Sequence, residues 1–130
     1  MDETEYSLGV ATPVLRIMDE PKAREFYVDF LGYRIDWEHR FEEDMPLYMQ
    51  ISQGSSVLHL SEHYGDSMPG AALRIEIRNI QAYHKFLSEK KYKYARPGVE
   101  QAFGSDEIRI TDPFGNRITF YERVAEAGES

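Results

Sequence analysis

His59 is the residue of this chain with the widest range of possible chemistry, and two other polar residues could share its site. The segment SSVLHLSE predicts a strand in which Leu58 and Leu60 face the core, because successive side chains of a strand point to opposite faces. His59 then faces the other way. Tyr48 and Gln50, on the strand before it, would add hydrogen-bonding groups. We expect His59 to bond a neighbouring side chain, to contact a ligand, or to act in acid–base or metal chemistry.

Two aromatic residues could stack on a flat ligand. Trp37 is the only tryptophan of the chain, and packing in the core or in a subunit interface is the alternative to stacking. Phe103 stands beside Gly104 in a predicted loop, where a large apolar side chain is harder to explain as part of a core. We therefore expect Phe103 to face a binding cleft.

Charged residues alternate on two predicted strands, with Arg74 and Glu76 on one and Glu107 and Arg109 on the other. Pairing of opposite charges across neighbouring strands would stabilise the sheet. The alternative is that arginine holds an anionic or zwitterionic ligand. The complete set of candidate ligand-binding residues is Trp37, Tyr48, Gln50, His59, Phe103 and Arg109.

The first half of the chain contains the elements that would position most of these side chains. A strand is predicted at Val10–Ile17, and Asp19 is expected to cap a helix with Pro21 in its first turn. Gly32 is expected to end this helix. Its apolar stripe, at helical spacing, is Ala23, Phe26, Tyr27, Phe30 and Leu31. Three further strands are predicted at about Tyr33–Phe41, Leu47–Ser52 and Ser56–Ser61.

The second half repeats this order. A strand is predicted at Ala71–Ile77, and Asn79 is expected to cap the second helix. The apolar stripe of that helix is Ile80, Tyr83, Phe86 and Leu87. The run DPFGN predicts a tight turn, because Asp and Pro open turns and Gly-Asn supplies left-handed positions. The remaining strands are predicted near Tyr94, at about Glu107–Thr111 and at Arg117–Glu122.

The two halves superimpose at an offset of 60 positions, which places Ile17 on Ile77, and Glu62 on Glu122. A half of this size has an apolar sheet face that it cannot cover alone. We therefore predict an α+β fold in which two βαβββ units form a curved mixed sheet with a cleft, and a homodimer with composite clefts. The chain is expected to be one domain, 1–130, with units at about 10–63 and 70–123.

Composition narrows the classes of function. The net charge is −8 and the pI about 5.0, which disfavours binding to nucleic-acid phosphates and favours cationic small molecules. No window approaches the ~18 apolar residues that span a bilayer, and the acidic N-terminal segment shows no secretory signal. The chain has no cysteine, so disulfides and thiolate metal sites are excluded. We expect a cytoplasmic protein that binds neither membranes nor nucleic acid.

Three segments resemble the vicinal oxygen chelate superfamily of glyoxalases, bleomycin-resistance proteins, fosfomycin-resistance enzymes and extradiol dioxygenases. They are ATPVLRIMDEPKAREFYVDFLGY, VLHLSEHYGD and RITDPFGNRITFYE. The resemblance implies four cleft-facing positions that hold a metal in the metal-dependent members. In this chain these positions are Thr12, His59, Ala72 and Thr119. Because such metal sites need about three good protein ligands and only His59 qualifies, we expect no metal, no cofactor and no catalytic residue.

Among the members that work without a metal, the bleomycin-binding proteins are the most similar in these segments. The resemblance implies a two-fold dimer whose two clefts sequester a cationic drug without chemistry, and hence a role in antibiotic resistance. It also implies cleft aromatics at Trp37 and, in the run QAFG, at Phe103. The chain departs from those proteins in having Phe rather than Trp in that loop, and in the segment LHLSEHYGDSMPGA.

Two enzymatic alternatives remain open from the residues. A glyoxalase- or dioxygenase-type metalloenzyme could use His59 with other ligands, such as His39, Glu62 or His63. A metal-free lyase or isomerase could use His59 or Glu107 as its general base. The sequence leaves the roles of His39, His63 and Asp66 undecided, and a solvated loop is the simplest explanation for the last two.

Overall fold

Side-chain caps determine where the two helices begin. Asp19 accepts a hydrogen bond from the backbone N–H of Lys22 at 3.0 Å, and Asn79 accepts one from that of Ala82 at 3.2 Å. Both bonds satisfy N–H groups that a first helical turn leaves without an intrahelical partner. The first helix ends before Gly32, whose φ of 90° lies in the left-handed region. Both predicted caps and the predicted helix end are confirmed.

The computed structural model describes residues 5–124, and these form two βαβββ units. The first unit consists of β1 (Val14–Arg16), α1 (Glu20–Ala23) with a π-helical continuation (Arg24–Phe30), β2 (Arg34–His39), β3 (Tyr48–Gln53) and β4 (Ser56–Ser61). The second unit consists of β5 (Ala72–Glu76), α2 (Ile80–Glu89), β6 (Glu100–Ala102), β7 (Ser105–Thr111) and β8 (Arg117–Arg123). The predicted α+β class with a repeated βαβββ unit is confirmed.

Each unit has its own four-stranded mixed sheet. The strand orders are β1-β4-β3-β2 and β5-β8-β7-β6, so the units match strand for strand. In each sheet the first strand pairs in parallel with the last, and the other pairs are antiparallel. Each sheet thus has one face against the helices and one outer face, and the candidate site residues other than Phe103 lie on the outer faces.

The first helix widens after its first turn, which the sequence pattern did not predict. Over Arg24–Phe30 it is π-helical, and the N–H of Leu31 bonds to the carbonyl of Phe26, five residues earlier, at 2.9 Å. The wider turn still buries Phe26, Tyr27 and Phe30 on one side. Within residues 5–124, neither this helix nor α2 is both long enough and apolar enough to cross a membrane.

The strand alternation expected from the sequence is present in the core. Leu58 and Leu60 in the first sheet are buried against the helices, as are Ile118 and Phe120 in the second. One member of the predicted α2 stripe departs from this pattern, because Phe86 remains 37% exposed. The core therefore follows the period-2 and helical patterns, except at the edge of α2.

The predicted strand near Tyr94 does not form. In its place, the segment after α2 packs through side chains, and the ring of Tyr92 stacks on Phe30 with centroids 4.6 Å apart. The strand that completes the second sheet forms later in the chain, as β6 (Glu100–Ala102), and it pairs with β7. Of the two aromatic residues in the run KYKY, Tyr92 thus packs against the core, whereas Tyr94 is exposed.

Buried hydrogen bonds join the two units. Tyr27 donates to the Asp112 carboxylate at 2.5 Å, and the Asn116 amide donates to the backbone carbonyl of Arg16 at 2.9 Å. Tyr83 of α2 donates to a backbone carbonyl at the end of the first helix at 2.8 Å. Burial, and then the negative charge of Asp112, raise the pKa of Tyr27 well above its usual value, so this hydroxyl remains a donor. The DPFGN turn is therefore also the joint between the units.

Candidate functional site

The outer face of the first sheet carries a chain of hydrogen-bonded side chains centred on His59. Gln50 in β3 is the cross-strand partner of His59 in β4. The Tyr48 hydroxyl lies 2.7 Å from His59 Nδ1, and Gln50 Oε1 lies 2.9 Å from His59 Nε2. Gln50 also donates from Nε2 to the Asp36 carboxylate at 3.0 Å. Both nitrogens of the imidazole are thus hydrogen-bonded within the protein.

Asp36 fixes the directions of the bonds in this chain. An ionised carboxylate only accepts hydrogen bonds, so Gln50 must turn its NH₂ group toward Asp36 and its oxygen toward His59. In the neutral imidazole, Nε2 then carries the proton and Nδ1 accepts from Tyr48. Hydrogen bonds from Gln50 and then from Ser52 lower the pKa of Asp36, which keeps it an acceptor. This arrangement selects one tautomer of His59.

A β-bulge in β2 places Asp36 and Trp37 on the same face. The strand register changes from Ile35 opposite Ile51 to Trp37 opposite Gln50, so Asp36 is an extra residue in β2. Regular alternation would have turned Trp37 toward the helices together with Ile35. Asp36 is the site residue that sequence analysis missed, because nothing in the run RIDWEH marks the bulge.

The Trp37 indole lies over the edge of this polar chain. Its ring is nearly parallel to that of Tyr48, with centroids 6.0 Å apart and an interplanar angle of 9°. It meets the His59 ring edge to face, with centroids 5.4 Å apart. Trp37 is still 42% exposed. We call the surface formed by Trp37, Tyr48, Gln50 and His59 the aromatic platform.

The loop after β4 is held at the end of the platform by hydrogen bonds to Ser61. Ser61 is fully buried, donates to Asp66 at 2.7 Å and accepts from the backbone N–H of His63 at 3.0 Å. Burial, and then the charge of Asp66, raise the pKa of Tyr48, so Tyr48 stays protonated and can donate to His59. His63 and Asp66, whose roles the sequence left undecided, thus form an ordered edge of the platform.

The outer face of the second sheet has a different character. Glu107 is only 3% exposed, and its carboxylate accepts from Arg74 at 3.1 Å, from Arg109 Nη2 at 3.0 Å and from Ser105 at 3.0 Å. Burial alone would raise the pKa of Glu107, but the hydrogen bonds from Ser105, Arg74 and Arg109 together lower it. Charge pairing, one of the two alternatives from the sequence, is present here in a different form. Arg74 of β5 reaches Glu107 of β7 across the intervening β8, and Arg109 pairs with Glu107 within β7.

The structure brings four of the six candidate ligand-binding residues together, in the platform. Arg109 and Phe103 lie in the second unit, where Phe103 occupies the turn between β6 and β7 and is fully exposed. Trp37 lies in the first sheet and Phe103 in a turn of the second unit, so the cleft that the sequence predicts for both would have to form between two subunits. His39, at the end of β2, packs against Phe41 with centroids 5.7 Å apart.

The four positions that correspond to metal ligands in the resembled family are divided between the two sheets. His59 is on the first outer face, whereas Ala72 and Thr119 are on the second. In the part of the chain that the structure describes, no three His, Asp or Glu side chains lie close enough to hold a metal ion. The lone pair of His59 Nδ1, which a metal would need, accepts from Tyr48 in the tautomer selected by Asp36.

Comparison with known proteins establishes the family. The family model described as "Glyoxalase superfamily protein" matches residues 3–127, nearly the whole chain. The chain therefore belongs to the glyoxalase superfamily. No curated protein matches it.

Several solved structures share the fold. TnmS3, an antibiotic-binding protein from Streptomyces sp. CB03234, is 17% identical, with a TM-score of 0.71 over 92% of this chain and 100% of that one. A bleomycin-binding protein from Streptomyces verticillus, solved with copper(II)-bleomycin, is 27% identical, with a TM-score of 0.65 over 93% and 99%. A putative glyoxalase family protein from Bacillus anthracis is 18% identical, with a TM-score of 0.65 over 94% and 100%. The fold thus occurs in both drug-binding and glyoxalase-type proteins.

Proposed function

We propose that this protein binds and sequesters a flat, partly cationic organic molecule on the aromatic platform, without chemical conversion. The observation that carries the proposal is the half-exposed Trp37 ring above a polar floor whose hydrogen bonds are already satisfied. Such a surface offers stacking area and one orienting carboxylate, Asp36, at its edge. Bleomycin is the first compound to test, since bleomycin-binding proteins share the fold.

The geometry of His59 favours binding over catalysis. A general base needs a free lone pair that can reach the substrate, but Nδ1 and Nε2 of His59 both bond to neighbouring side chains. The other candidate base, Glu107, is held by two arginines, and its lowered pKa makes it a weaker base. Metal-dependent chemistry would need ligands besides His59 that the described residues do not gather around it.

A homodimer is part of this proposal. Each outer face is open in the single chain, and the platform lies on one sheet while Phe103 and Arg109 lie in the other unit. A two-fold pairing of the first sheet of one protomer with the second sheet of its partner would enclose the platform and form two composite clefts. We expect a solution mass near twice the 15.2 kDa of the chain, measured by light scattering. A monomer at micromolar concentration would contradict the dimer.

The absence of cysteine makes the cytoplasm the proposed location.

Binding can be measured directly, because Trp37 is the only tryptophan. We expect bleomycin to quench Trp37 fluorescence, and isothermal titration calorimetry to give the affinity in variants that lack the indole. Stacking on an aromatic ring contributes about 0.5–1.5 kcal/mol beyond area burial. Trp37→Ala should therefore weaken binding about tenfold or more once the lost burial is added.

The matched control is Phe41→Ala, which removes an exposed aromatic ring that lies outside the platform. Its affinity should equal that of the parent. If Trp37→Ala binds a confirmed ligand as tightly as the parent does, the stacking role is wrong. If high micromolar bleomycin gives no quenching and expression gives cells no protection, the ligand is not bleomycin.

A further inference from the structure

The outer face of the second sheet concentrates positive charge on a protein whose net charge is −8. Arg74, Arg109 and Arg117 project from the adjacent strands β5, β7 and β8. Together they line a depression of about 600 Å³, within the range of small-molecule sites. The carboxylates on this face are Glu107, which is buried, Glu100, 3.9 Å from Arg109, and Glu76, 3.7 Å from Arg123, and none of them lines the depression. Arginine is therefore in excess at the centre of the depression.

The strand register gives this depression a defined centre. Thr119 of β8 has Arg74 as its cross-strand partner on one side and Arg109 on the other. Neighbouring strands are about 4.8 Å apart, and residues two apart along a strand are separated by about 6.6 Å. Arg117 lies two residues before Thr119 on the same face. The three arginines thus flank Thr119 in the strand register, and all four residues line the depression.

Two of these arginines are held in place by the protein. Glu107 accepts one bond from Arg74 and bonds to Nε and Nη2 of Arg109, and Arg74 also lies over the ring of Tyr121, 4.4 Å from its centroid. A guanidinium has five N–H donors, so both keep donors for a ligand, and their side chains remain 55% and 57% exposed. Within residues 5–124, the Arg117 side chain has no hydrogen bond or ion pair. Arg74 and Arg109 therefore need little further ordering when an anion binds, whereas Arg117 would become ordered by binding it.

We propose that this depression, the arginine site, binds the carboxylate or phosphate group of a small organic molecule above Thr119. Planar guanidinium groups match the two oxygens of a carboxylate or phosphate with paired hydrogen bonds, and the Thr119 hydroxyl adds a donor at the centre. The arginine site and the aromatic platform lie on different sheets of the chain, and the arginine site favours a ligand group of the opposite charge. In the proposed dimer, the arginine site of one protomer would lie across the composite cleft from the platform of its partner. The proposal therefore stands whether or not the platform binds a cation.

The test uses sodium 2-naphthoate and its neutral amide, 2-naphthamide, as matched probes, and inorganic phosphate as an anion without a ring. We expect calorimetry to detect naphthoate and phosphate but to give at least tenfold weaker binding for naphthamide. The Arg Nε–H signals of Arg74, Arg109 and Arg117 should shift in ¹H–¹⁵N spectra when either anion is added. Raised salt should weaken binding of both anions by screening.

Arg117→Gln should weaken naphthoate and phosphate binding about tenfold, since it removes a charged hydrogen-bond partner. Arg117→Lys, which keeps the charge, should recover part of the affinity. Arg96→Gln removes an exposed arginine elsewhere and should change nothing, and thermal melts should show all three variants folded. Equal binding of naphthoate and naphthamide, or unchanged phosphate affinity in Arg117→Gln, would overturn the arginine site.

Trp37→Ala separates this result from the platform proposal. It should leave phosphate affinity unchanged while abolishing stacking on the platform. If phosphate binding fails and fluorescence quenching by a platform ligand persists, only the arginine site is lost. If quenching fails and phosphate still binds, only the platform proposal is lost.

Discussion

The outer faces of the two sheets occupy equivalent positions in a repeated frame and have opposite chemistry. Gln50 is the cross-strand partner of His59 in the first sheet, and at the corresponding place in the second sheet Arg109 is the partner of Thr119. The first set forms a hydrogen-bonded chain beside Trp37 that ends on the Asp36 carboxylate. The second forms an arginine cluster held by Glu107. The repeat thus preserves strand order and core alternation, while the outward residues are free to differ.

The acidic residues Glu62 and Glu122 show the same divergence at a smaller scale. They are related by the 60-position offset, yet Glu122 accepts from the backbone N–H groups of Asn79 and Ile80 at 2.8 and 2.9 Å and so caps α2. Glu62 instead accepts from the backbone N–H of Leu47 at 2.9 Å. Equivalent positions therefore do not have equivalent partners, because the local chain path decides which donors lie within reach.

The largest expected effect is at the joint that holds the two unlike units together. Asp112 accepts from Tyr27, from the backbone N–H groups of Phe114 and Asn116, and from the Asn116 side chain. Asp112→Ala leaves several buried donors without a partner and should lower the free energy of unfolding by about 3 kcal/mol. Urea denaturation measures this change. Asp29→Ala, at an exposed position, should stay within about 0.5 kcal/mol of the parent; an equal loss in both would mean that the joint has no special role.

A pair of glycines distinguishes backbone strain from contact between the units. Both Gly32 (φ 90°) and Gly54 (φ 59°) have left-handed backbones, but a Cβ on Gly32 would lie 2.9 Å from the Phe86 ring of the second unit, whereas one on Gly54 would meet nothing within 4 Å. We expect Gly54→Ala to cost about 1 kcal/mol from backbone strain alone, and Gly32→Ala to cost more. Thermal and urea unfolding compare the two. Equal losses would show that Phe86 moves aside freely.

The stability contributed by the second face should depend on pH through its buried carboxylate, Glu107. The lowered pKa of Glu107 means that its contribution to stability is present above the unfolded value of about 4.3 and is lost as the pH falls through the folded value. Glu107→Gln should therefore be less stable than the parent at pH 7, with a difference that shrinks below about pH 4. Denaturation from pH 3 to 7 tests this. Glu100→Gln, at an exposed rim position, should show little change; a gap between parent and Glu107→Gln that does not vary with pH would contradict the assignment.

The smallest expected effect concerns the tautomer of His59. Asp36→Ala removes the acceptor that orients Gln50, so the Gln50 amide can turn and present its NH₂ group to His59. Long-range ¹H–¹⁵N spectra should show the Nε2–H tautomer in the neutral parent and a mixture in the variant. Stability should change little, since Asp36 lies at the surface. A single tautomer in both proteins would show that Tyr48 alone selects it.

Most of the fold could be predicted from the sequence because the features that specify it, such as helix caps and strand alternation, act between residues close in the chain. The Asp19 and Asn79 caps, the glycine at position 32 and the alternation around Leu58 each act over a few residues, and the structure confirms them. The prediction of a strand near Tyr94 was wrong. The period-2 pattern of KYKY also fits side chains packing on a helix, as Tyr92 does on Phe30, and periodicity alone cannot separate these cases.

The candidate site was predictable only in part. Alternation placed His59 on an outer face, and Tyr48 and Gln50 were identified as polar groups beside it. The partners of these residues depend on a bulge that shifts β2 by one position and brings Asp36 and Trp37 to the same side. A one-residue change of register reverses every side chain beyond it, and the sequence of β2 carries no local mark of that change.

The amino-acid sequence by itself determined the repeated unit, its caps and its buried stripes, because propensities, capping and periodicity act between residues close in the chain. Tertiary structure alone decided which outward side chains meet. It joined Tyr27 to Asp112 across 85 positions and gathered three arginines around Thr119 from three strands. Such contacts depend on the packing of whole units, and no short segment contains the information that brings them together.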